Sequence, residues 1–390
     1  MRWRYHYTVL SLCTFAFFGT MVARLAISPV VPGITSTFDI SNTAIGAALT
    51  GMWLTYSLMQ FPSGVLADRY GERRIILTAL GGTAIGSLLL ALSPTFPLFL
   101  LSVVLLGAVA GLQYTPGTSL ISRIFDDVGG PVGIHNVGAP LAGLLAPIGA
   151  AWIGSQYGWR PAIGLGIVVA LPVFLLVLWR IRPVAASNPE RSMLEPFRFE
   201  TIRELLTRPA IAFTLALATI GTFVWQGTAS FLPTFLISHR GYTATTAGIV
   251  FSAYFVVQGF GQVGVGVFSD RYGRDAAIVG CAIFGAVGFF IFVFVPGLVG
   301  VVTAVVLAGI GMSYHSAVLS RFLDEFSDAE SGTGFGLVRT VYGILGASGS
   351  IVVGLFADLF SWAVSFGLLA ILLTVIVVVL GVNRALALGY

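Results

Sequence analysis

Gly64-Val-Leu-Ala-Asp-Arg-Tyr-Gly71 recurs 202 residues later as Gly266-Val-Phe-Ser-Asp-Arg-Tyr-Gly273. Other pairs repeat at almost the same distance: Arg123 corresponds to Arg321 at 198 residues, and Trp159 corresponds to Trp362 at 203. Small drifts of this kind are expected where short loops gain or lose residues. A period of about half the chain predicts one structural unit that occurs twice in the same orientation.

The composition excludes an ordinary soluble domain. Of 390 residues, 57% are hydrophobic and only 9% are charged, whereas soluble chains carry about 25% charged residues. So much apolar surface indicates a protein that lies in a lipid bilayer, without large extramembrane domains and without a nucleic-acid role, despite an isoelectric point near 9.2. Both cysteines, Cys13 and Cys281, stand in apolar runs and indicate neither a disulfide framework nor a metal site.

The apolar runs have the length of membrane-spanning helices, which need about 20 residues each. They predict an all-α membrane protein of twelve transmembrane helices, in two six-helix halves around a central cavity. The predicted organisation is an N-terminal bundle over 1–180, a cytoplasmic linker over 181–209 and a C-terminal bundle over 210–390. Within the linker, Phe199, Ile202, Leu205 and Leu206 repeat at helical spacing, which predicts a short amphipathic helix on the membrane surface. The predicted spans are 8–32, 43–66, 75–92, 97–121, 133–153, 161–180, 210–236, 246–268, 276–295, 298–320, 334–356 and 362–381.

Arginine sets the predicted orientation, because the chain contains no lysine. With the N-terminus inside, 16 arginines lie on the cytoplasmic side, and only Arg160 and Arg240 lie outside. The remaining two, Arg24 and Arg339, fall within spans. This asymmetry predicts a multi-pass plasma-membrane protein with both termini in the cytoplasm.

The repeated motif resembles the loop signature between helices 2 and 3 of the major facilitator superfamily. The second copy departs from that pattern at Arg274-Asp275. The resemblance covers the whole chain and implies a secondary transporter that works by rocking its two halves around a solute site; it does not name the solute. The matching positions are Gly64, Asp68, Arg69, Gly71, Arg73 and Arg74 in the first copy and Gly266, Asp270, Arg271 and Gly273 in the second.

The motif also has a physical interpretation of its own. Asp68 stands at the end of span 2, where the helix dipole disfavours a negative charge. It would be better placed at the amide-rich start of span 11, near Ser331-Gly-Thr-Gly334, and Asp270 has the corresponding target at Gly129-Gly-Pro131. We therefore expect a conformational latch that breaks when the halves rock; the alternative is a topological anchor held by positive charge. The predicted latch residues are Gly64, Asp68, Arg69, Gly71, Arg73, Arg74, Asp270, Arg271 and Gly273.

Two arginines stand at membrane depth, where each costs about 2.5–3.5 kcal/mol on insertion scales. All sixteen Asp and Glu residues fall in predicted loops, so Arg24 and Arg339 are expected to bind an anion from opposite halves. Their counterparts in the other half are the neutral amides Gln226 and Asn136. Snorkelling, or bonding to carbonyls at a helix break such as Ser28-Pro29, remains the alternative for both arginines.

The string from Arg24 to Pro32, Arg-Leu-Ala-Ile-Ser-Pro-Val-Val-Pro, is similar to the start of organic-anion symporters of the superfamily. Those often carry an acidic residue where this chain has Ala23, and they have charges in helix 4, whereas 97–121 contains none. The stretch Asn136-Val-Gly-Ala-Pro-Leu-Ala-Gly143 faintly resembles the glycine-rich helix 5 signature of the nitrate/nitrite branch, and equally the Gly-Pro motif of antiporters.

Further polar and aromatic residues recur on spans 1, 2, 4, 5, 7, 8, 10 and 11, the helices that line the cavity in the family. Each alone is as consistent with a hydrogen bond between packed helices as with a ligand. His135 and His315 are candidates for proton coupling, the alternative being neutral imidazoles bonded to backbone carbonyls. The predicted substrate-binding residues are Arg24, Arg339, Gln226, Asn136, Tyr56, Trp225, Tyr254, Gln258, Tyr114 and Tyr314.

The leading functional hypothesis is a secondary active transporter that moves a small anion by alternating access, an organic carboxylate rather than nitrate or phosphate. The alternative is an exporter of drugs or hydrophobic solutes. A channel fits the duplication and the latches less well, and the sequence shows no catalytic or cofactor motif, so we expect neither an enzyme nor a cofactor. The expected partners are the anion, the bilayer and, as candidate coupling ion, the proton, with the protein a monomer.

Overall fold

The computed structural model describes residues 5–183, 185–189, 199–326 and 331–387. Throughout these residues the chain forms helices, turns and loops, and it contains no β-strand. The predicted all-α membrane fold is therefore confirmed.

Six long helices form the first half. They are α1 (Tyr5–Phe38), α2 (Asn42–Tyr70), α3 (Glu72–Leu92), α4 (Phe96–Ser122), α5 (Gly129–Tyr157) and α6 (Trp159–Arg180). A linker helix, Phe199–Thr207, follows at the predicted position. Its Leu205 is buried and the helix packs on the next span; the side chains of Phe199 and Ile202 lie outside the described residues.

Six further helices form the second half. They are α7 (Pro209–Ser238), α8 (Ala244–Tyr272), α9 (Arg274–Phe294), α10 (Gly297–Asp324), α11 (Ser331–Gly346 continued by Gly349–Leu359) and α12 (Trp362–Ala385). Eleven helical segments in the described ranges are long and apolar enough to cross a membrane. Helix α2, with 29 residues between α1 and α3, completes the twelve long helices.

The two halves repeat the same helix packing. In the first, α1 packs against α5 and α6, while α3 packs against α4 and α6. In the second, α7 packs against α11 and α12, while α9 packs against α10 and α12. The internal sequence repeat therefore corresponds to a repeat of structure.

The connection between α2 and α3 is shorter than the sequence suggested. The predicted spans left 67–74 as a loop, but the chain turns at Gly71 alone, whose φ is 88°. Gly273 makes the same turn between α8 and α9 with φ 98°. Residues with a Cβ rarely adopt this conformation, which explains the glycine in both copies. The charged residues of the motif consequently lie in helical end turns, and the expectation that all acidic residues fall in loops is wrong.

Several helices are interrupted where they carry candidate site residues. Helix α1 tightens to a 3₁₀ turn at Ser28–Val30, next to Arg24, and α10 does so at Met312–Tyr314. Helix α4 breaks before Tyr114, and α5 is interrupted at Val137, one residue after Asn136. Irregular backbone at membrane depth is tolerated where it is buried in protein or lines a cavity.

The chain divides into two compact units, and the boundary does not coincide with the predicted one. The first unit comprises Met1–Asp39 and Gly51–Arg198, and the second comprises Ile40–Thr50 and Phe199–Tyr390. The start of α2 thus clusters with the C-terminal helices. The predicted division into bundles over 1–180 and 210–390 stays a prediction about the working halves of the protein.

Candidate solute-binding residues in each half

Arg24 lies at the end of the regular part of α1, and only 2% of its surface is exposed. Its Nε donates to the Thr20 carbonyl oxygen at 3.1 Å, one turn back along the helix. Its Nη2 lies 2.8 Å from the sulfur of Met21. These contacts hold the guanidinium inside the first unit, rather than extended along α1 toward the membrane surface.

Aromatic rings of α2 flank the same guanidinium. Its central carbon lies 3.9 Å from the ring centre of Tyr56 and 5.3 Å from that of Trp53. An arginine over an aromatic face gains electrostatic attraction and presents the edge of its planar fork elsewhere. The structure thus brings together Arg24 and Tyr56, both predicted site residues, and adds Trp53, which was not among the predicted residues.

A second polar group in the first unit joins α4 and α5. The Tyr114 hydroxyl donates to Oδ1 of Asn136 at 3.2 Å. The His135 ring is fully buried, with ring centres 5.7 Å from Tyr114 and 5.3 Å from Phe17. The structure therefore groups three predicted residues, Tyr114, Asn136 and His135, on neighbouring helices.

Two buried glutamines lie beside predicted site residues in the sequence. Gln113 is fully buried and donates through Nε2 to the Cys13 carbonyl oxygen at 3.2 Å, and its Oε1 makes no hydrogen bond within the described residues. Gln60 is 4% exposed, one turn from Tyr56, and neither of its side-chain polar atoms has a described hydrogen-bond partner. Buried polar atoms without partners are costly. Both glutamines stand inside apolar runs of the sequence.

In the second unit, the predicted residues Trp225 and Gln258 contact each other. The Trp225 indole N–H donates to Oε1 of Gln258 at 3.4 Å, and Nε2 of Gln258 donates to the Met312 carbonyl oxygen at 3.0 Å. This links α7, α8 and the 3₁₀ turn of α10. Gln226, beside Trp225, is 4% exposed, and its side-chain oxygen has no partner among the described residues.

Tyr314 and His315 adjoin at the start of the last part of α10. Their ring centres are 4.3 Å apart, and the tyrosine hydroxyl lies 3.4 Å from Nε2 of the histidine. Tyr314 is buried against α7, where a Cβ on Gly221 would meet its hydroxyl at 2.3 Å. Arg339 of α11 lies in the neighbourhood of His315. Tyr254, by contrast, is fully buried among Phe251 and Phe255.

Apart from Gly64, the predicted latch residues lie at the helix ends around Gly71 and Gly273. In the first copy, Arg73 donates to the Leu178 carbonyl oxygen at 2.7 Å, Arg69 lies 5.6 Å from the Tyr70 ring, and the Asp68 carbonyl oxygen accepts from the Asn188 amide. In the second copy, Asp270 pairs with Arg274. Gly129 lies in the region predicted to bind Asp270, and its backbone amide donates to the side chain of Asp127. The latch therefore stays a prediction.

Ion pairs behind the motif compensate for the departure in its second copy. Glu72 is fully buried and accepts from Nη1 of Arg123 at 2.8 and 2.9 Å. The repeat aligns Glu72-Arg73 with Arg274-Asp275, so the two charges are exchanged. Asp275 pairs with Arg321 at 2.5 Å, the counterpart of Arg123. In each half, an acidic residue of the third helix therefore forms an ion pair with an arginine at the end of the fourth.

Within the part of the chain that the structure describes, no three His, Cys, Asp or Glu side chains are grouped so as to hold a metal ion. What the arrangement offers chemically is a buried guanidinium, several aromatic faces and uncharged amides.

Two relatives named for solute transport match the chain. A probable nitrate transporter NarT of Staphylococcus epidermidis is 23% identical over 86% of this chain and 86% of its own length. A probable 4-methylmuconolactone transporter of Cupriavidus pinatubonensis is 24% identical over 64% of this chain, and that match spans only 59% of the relative. At these identities, the solutes in the names are those of the relatives and are not assigned to this chain.

A drug-resistance protein and a solved structure also match. Multidrug resistance protein MdtG of Citrobacter koseri is 25% identical over 68% of each chain. A bacterial homologue of the lysosomal transporter Spinster, solved inward-facing and occupied, superposes with a TM-score of 0.80 over 99% of this chain and 98% of that chain, at 18% identity.

The family model of the Major Facilitator Superfamily matches residues 13–248 and 239–386. This chain belongs to the Major Facilitator Superfamily.

Proposed function

We propose that this transporter moves a small organic anion by alternating access, with Arg24 binding the anionic group. The observation that carries the proposal is a buried guanidinium that stacks on Tyr56 and directs one N–H group toward the sulfur of Met21. A thioether is a weak acceptor. A carboxylate oxygen would form a stronger, charge-assisted bond with the same N–H group.

The surroundings of Arg24 favour an organic anion over a bare inorganic one. Trp53 and Tyr56 place aromatic surface beside the guanidinium, and Tyr114 and Asn136 add neutral polar groups in the same unit. Such a mixture of apolar walls and few polar groups is typical of sites for carbon-containing ligands. Arg339 is proposed to contact the anion from the second half.

The test is a thermal-shift screen of purified protein against carboxylates, sugar acids, nitrate and phosphate, followed by counterflow in liposomes with each compound that binds. We expect Arg24→Gln to weaken binding of the transported anion by at least ten-fold, because a charged hydrogen bond contributes roughly 1.5–3 kcal/mol. Arg180→Gln is the matched control, since Arg180 is an exposed arginine stacked on Trp179 at the end of α6. Equal affinities in the wild type and Arg24→Gln would contradict the proposal.

Export of hydrophobic drugs is the second candidate, and the multidrug relative favours it. The same screen discriminates the two functions. A lipophilic cation that stabilises the wild type and Arg24→Gln equally, with no response to any anion, would support the drug exporter.

We further propose a plasma-membrane location with both termini in the cytoplasm, on the basis of the 16 arginines assigned to that side. Reporter fusions at the N-terminus, the linker and the C-terminus test this topology. Proton coupling through His135 or His315 is tested by uptake under an imposed pH gradient, compared between the wild type and the His135→Gln and His315→Gln variants.

A further inference from the structure

A groove of about 220 Å³ opens between α8, α9 and α10 of the second unit. Gly264 and Phe268 of α8 line one wall, and Gly280, Cys281 and Phe284 of α9 line the other. Its surface is almost entirely apolar, so water is not its natural occupant.

Missing side chains create the groove. A Cβ added to Gly264 or to Gly280 would meet no atom within 4 Å. The internal repeat aligns these two glycines with Pro62 and Thr78 of the first half. The groove is therefore a property of the second half and not a consequence of the duplicated helix packing.

The groove lies beside the most exposed apolar side chains of α8. Beside it on α8, Phe260 is 79% exposed, and Val263 and Val267 are similarly open. Gly264 lies eight residues before Tyr272, where α8 ends, and that distance is about 12 Å along a helix. In a membrane-spanning helix, apolar side chains exposed at such a distance from the helix end are expected to contact lipid acyl chains.

A cationic group stands at the end of the groove. The Phe268 ring centre lies 4.7 Å from that of Tyr272, and the Arg271 guanidinium lies 5.4 Å from the same tyrosine ring. Within the described residues Arg271 makes no ion pair, whereas the neighbouring Asp270 is held by Arg274. The row Phe268, Tyr272 and Arg271 thus leads from the apolar trough to a positive charge at the helix end.

We propose that this groove binds one acyl chain of an anionic phospholipid, whose phosphate lies against Arg271. In a phospholipid the apolar acyl chain leads to a negatively charged phosphate at the membrane interface. The apolar groove leads in the same direction to the basic residue at the helix end, so the two match in shape and charge. A neutral hydrophobic solute would use the trough and have no use for the guanidinium.

Lipid retention measures this proposal directly. The full-length protein is purified from a membrane that contains phosphatidylglycerol, and bound lipid is counted by native mass spectrometry. Thermal stability is then compared in nanodiscs of phosphatidylcholine alone and with added phosphatidylglycerol. The wild type is expected to retain one phosphatidylglycerol and to melt higher in the mixed nanodiscs.

Filling the trough separates the site from general lipid contact. Gly264→Leu and Gly280→Leu each place a side chain in the groove and are expected to abolish retention. Gly266→Leu is the matched control, because a Cβ there also meets open space but the residue does not line the groove. The two filling variants lie on different helices, so misfolding of one leaves the other as a test.

Removing the charge tests the headgroup. Arg271→Gln is expected to reduce the preference for phosphatidylglycerol over phosphatidylcholine about five-fold, whereas Arg180→Gln should leave it unchanged. Retention of phosphatidylglycerol by both filling variants would overturn the proposal. So would an unaltered lipid preference in Arg271→Gln, which would indicate binding of any hydrophobic chain.

Discussion

Glu72 shows how a single buried charge organises the end of a helix bundle. Its carboxylate has no exposed surface and accepts two hydrogen bonds from Arg123, which also contacts the Ser187 hydroxyl at 3.1 Å. The linker segment before residue 190 is thereby attached to the first unit. In the second unit Asp275 is 47% exposed, so its pair with Arg321 is far better solvated.

We predict that Arg123→Gln lowers the free energy of unfolding by roughly 1.5–3 kcal/mol, because it leaves a buried carboxylate without its charged partner. Arg321→Gln, at the corresponding position, should cost about 1 kcal/mol or less, because the Asp275 carboxylate that loses its partner is 47% exposed and can be solvated. Thermal and denaturant unfolding in detergent measures both. Equal losses would mean that burial of Glu72 does not determine the difference.

At the scale of the element, α2 begins on a carboxylate supplied by another helix. Asp358, near the end of α11, accepts hydrogen bonds from the Asn42 and Thr43 amides at 3.2 and 2.7 Å, and from both side chains at 2.8 and 2.6 Å. Backbone amides at a helix start have no partner within the helix, and a negative charge there is favoured by the helix dipole. This cap explains why Ile40–Thr50 clusters with the second unit.

Asp358→Ala is therefore expected to destabilise the protein by about 0.5–2 kcal/mol, the usual cost of a lost cap. Asp39→Asn serves as control, since Asp39 is a nearby carboxylate whose φ of 51° asparagine also tolerates. Unfolding curves of the two variants in detergent should differ clearly. Two coincident curves would show that the cap carries no stability.

At the scale of the whole molecule, the duplicated packing supports the proposed transport by alternating access, in which two similar bundles would move. The predicted latch places Asp68 in that motion. Asp68 lies in the last turn of α2, beyond Val65 and Ala67, which are buried.

We expect Asp68→Asn to slow transport several-fold while leaving surface expression unchanged, because the helix-dipole contact it would lose is about 0.5–2 kcal/mol. Initial uptake rates in liposomes, normalised to protein, are the measurement. Asp68→Glu should restore much of the rate. An unchanged rate in Asp68→Asn would leave the topological anchor as the remaining interpretation.

The number, order and approximate limits of the helices followed from the sequence because the bilayer imposes one rule on every span: about 20 apolar residues with internal hydrogen bonding. The repeat of the Asp-Arg motif then implied two like halves. Ends were predicted less well. Gly71 and Gly273 turn the chain in one residue, and that requires a positive φ that no hydrophobicity pattern reveals.

Sequence by itself determined the twelve-helix fold, the internal duplication and the presence of an arginine in the first span, since each depends on composition and order along one chain. Only the tertiary structure decided which groups meet. Arg24 contacts the rings of Trp53 and Tyr56, Asp358 caps the start of α2, and Asp275 pairs with Arg321 as Glu72 pairs with Arg123 in the first half. Those contacts join residues 29 to 315 positions apart, and their formation depends on the packing of whole helices rather than on local preference.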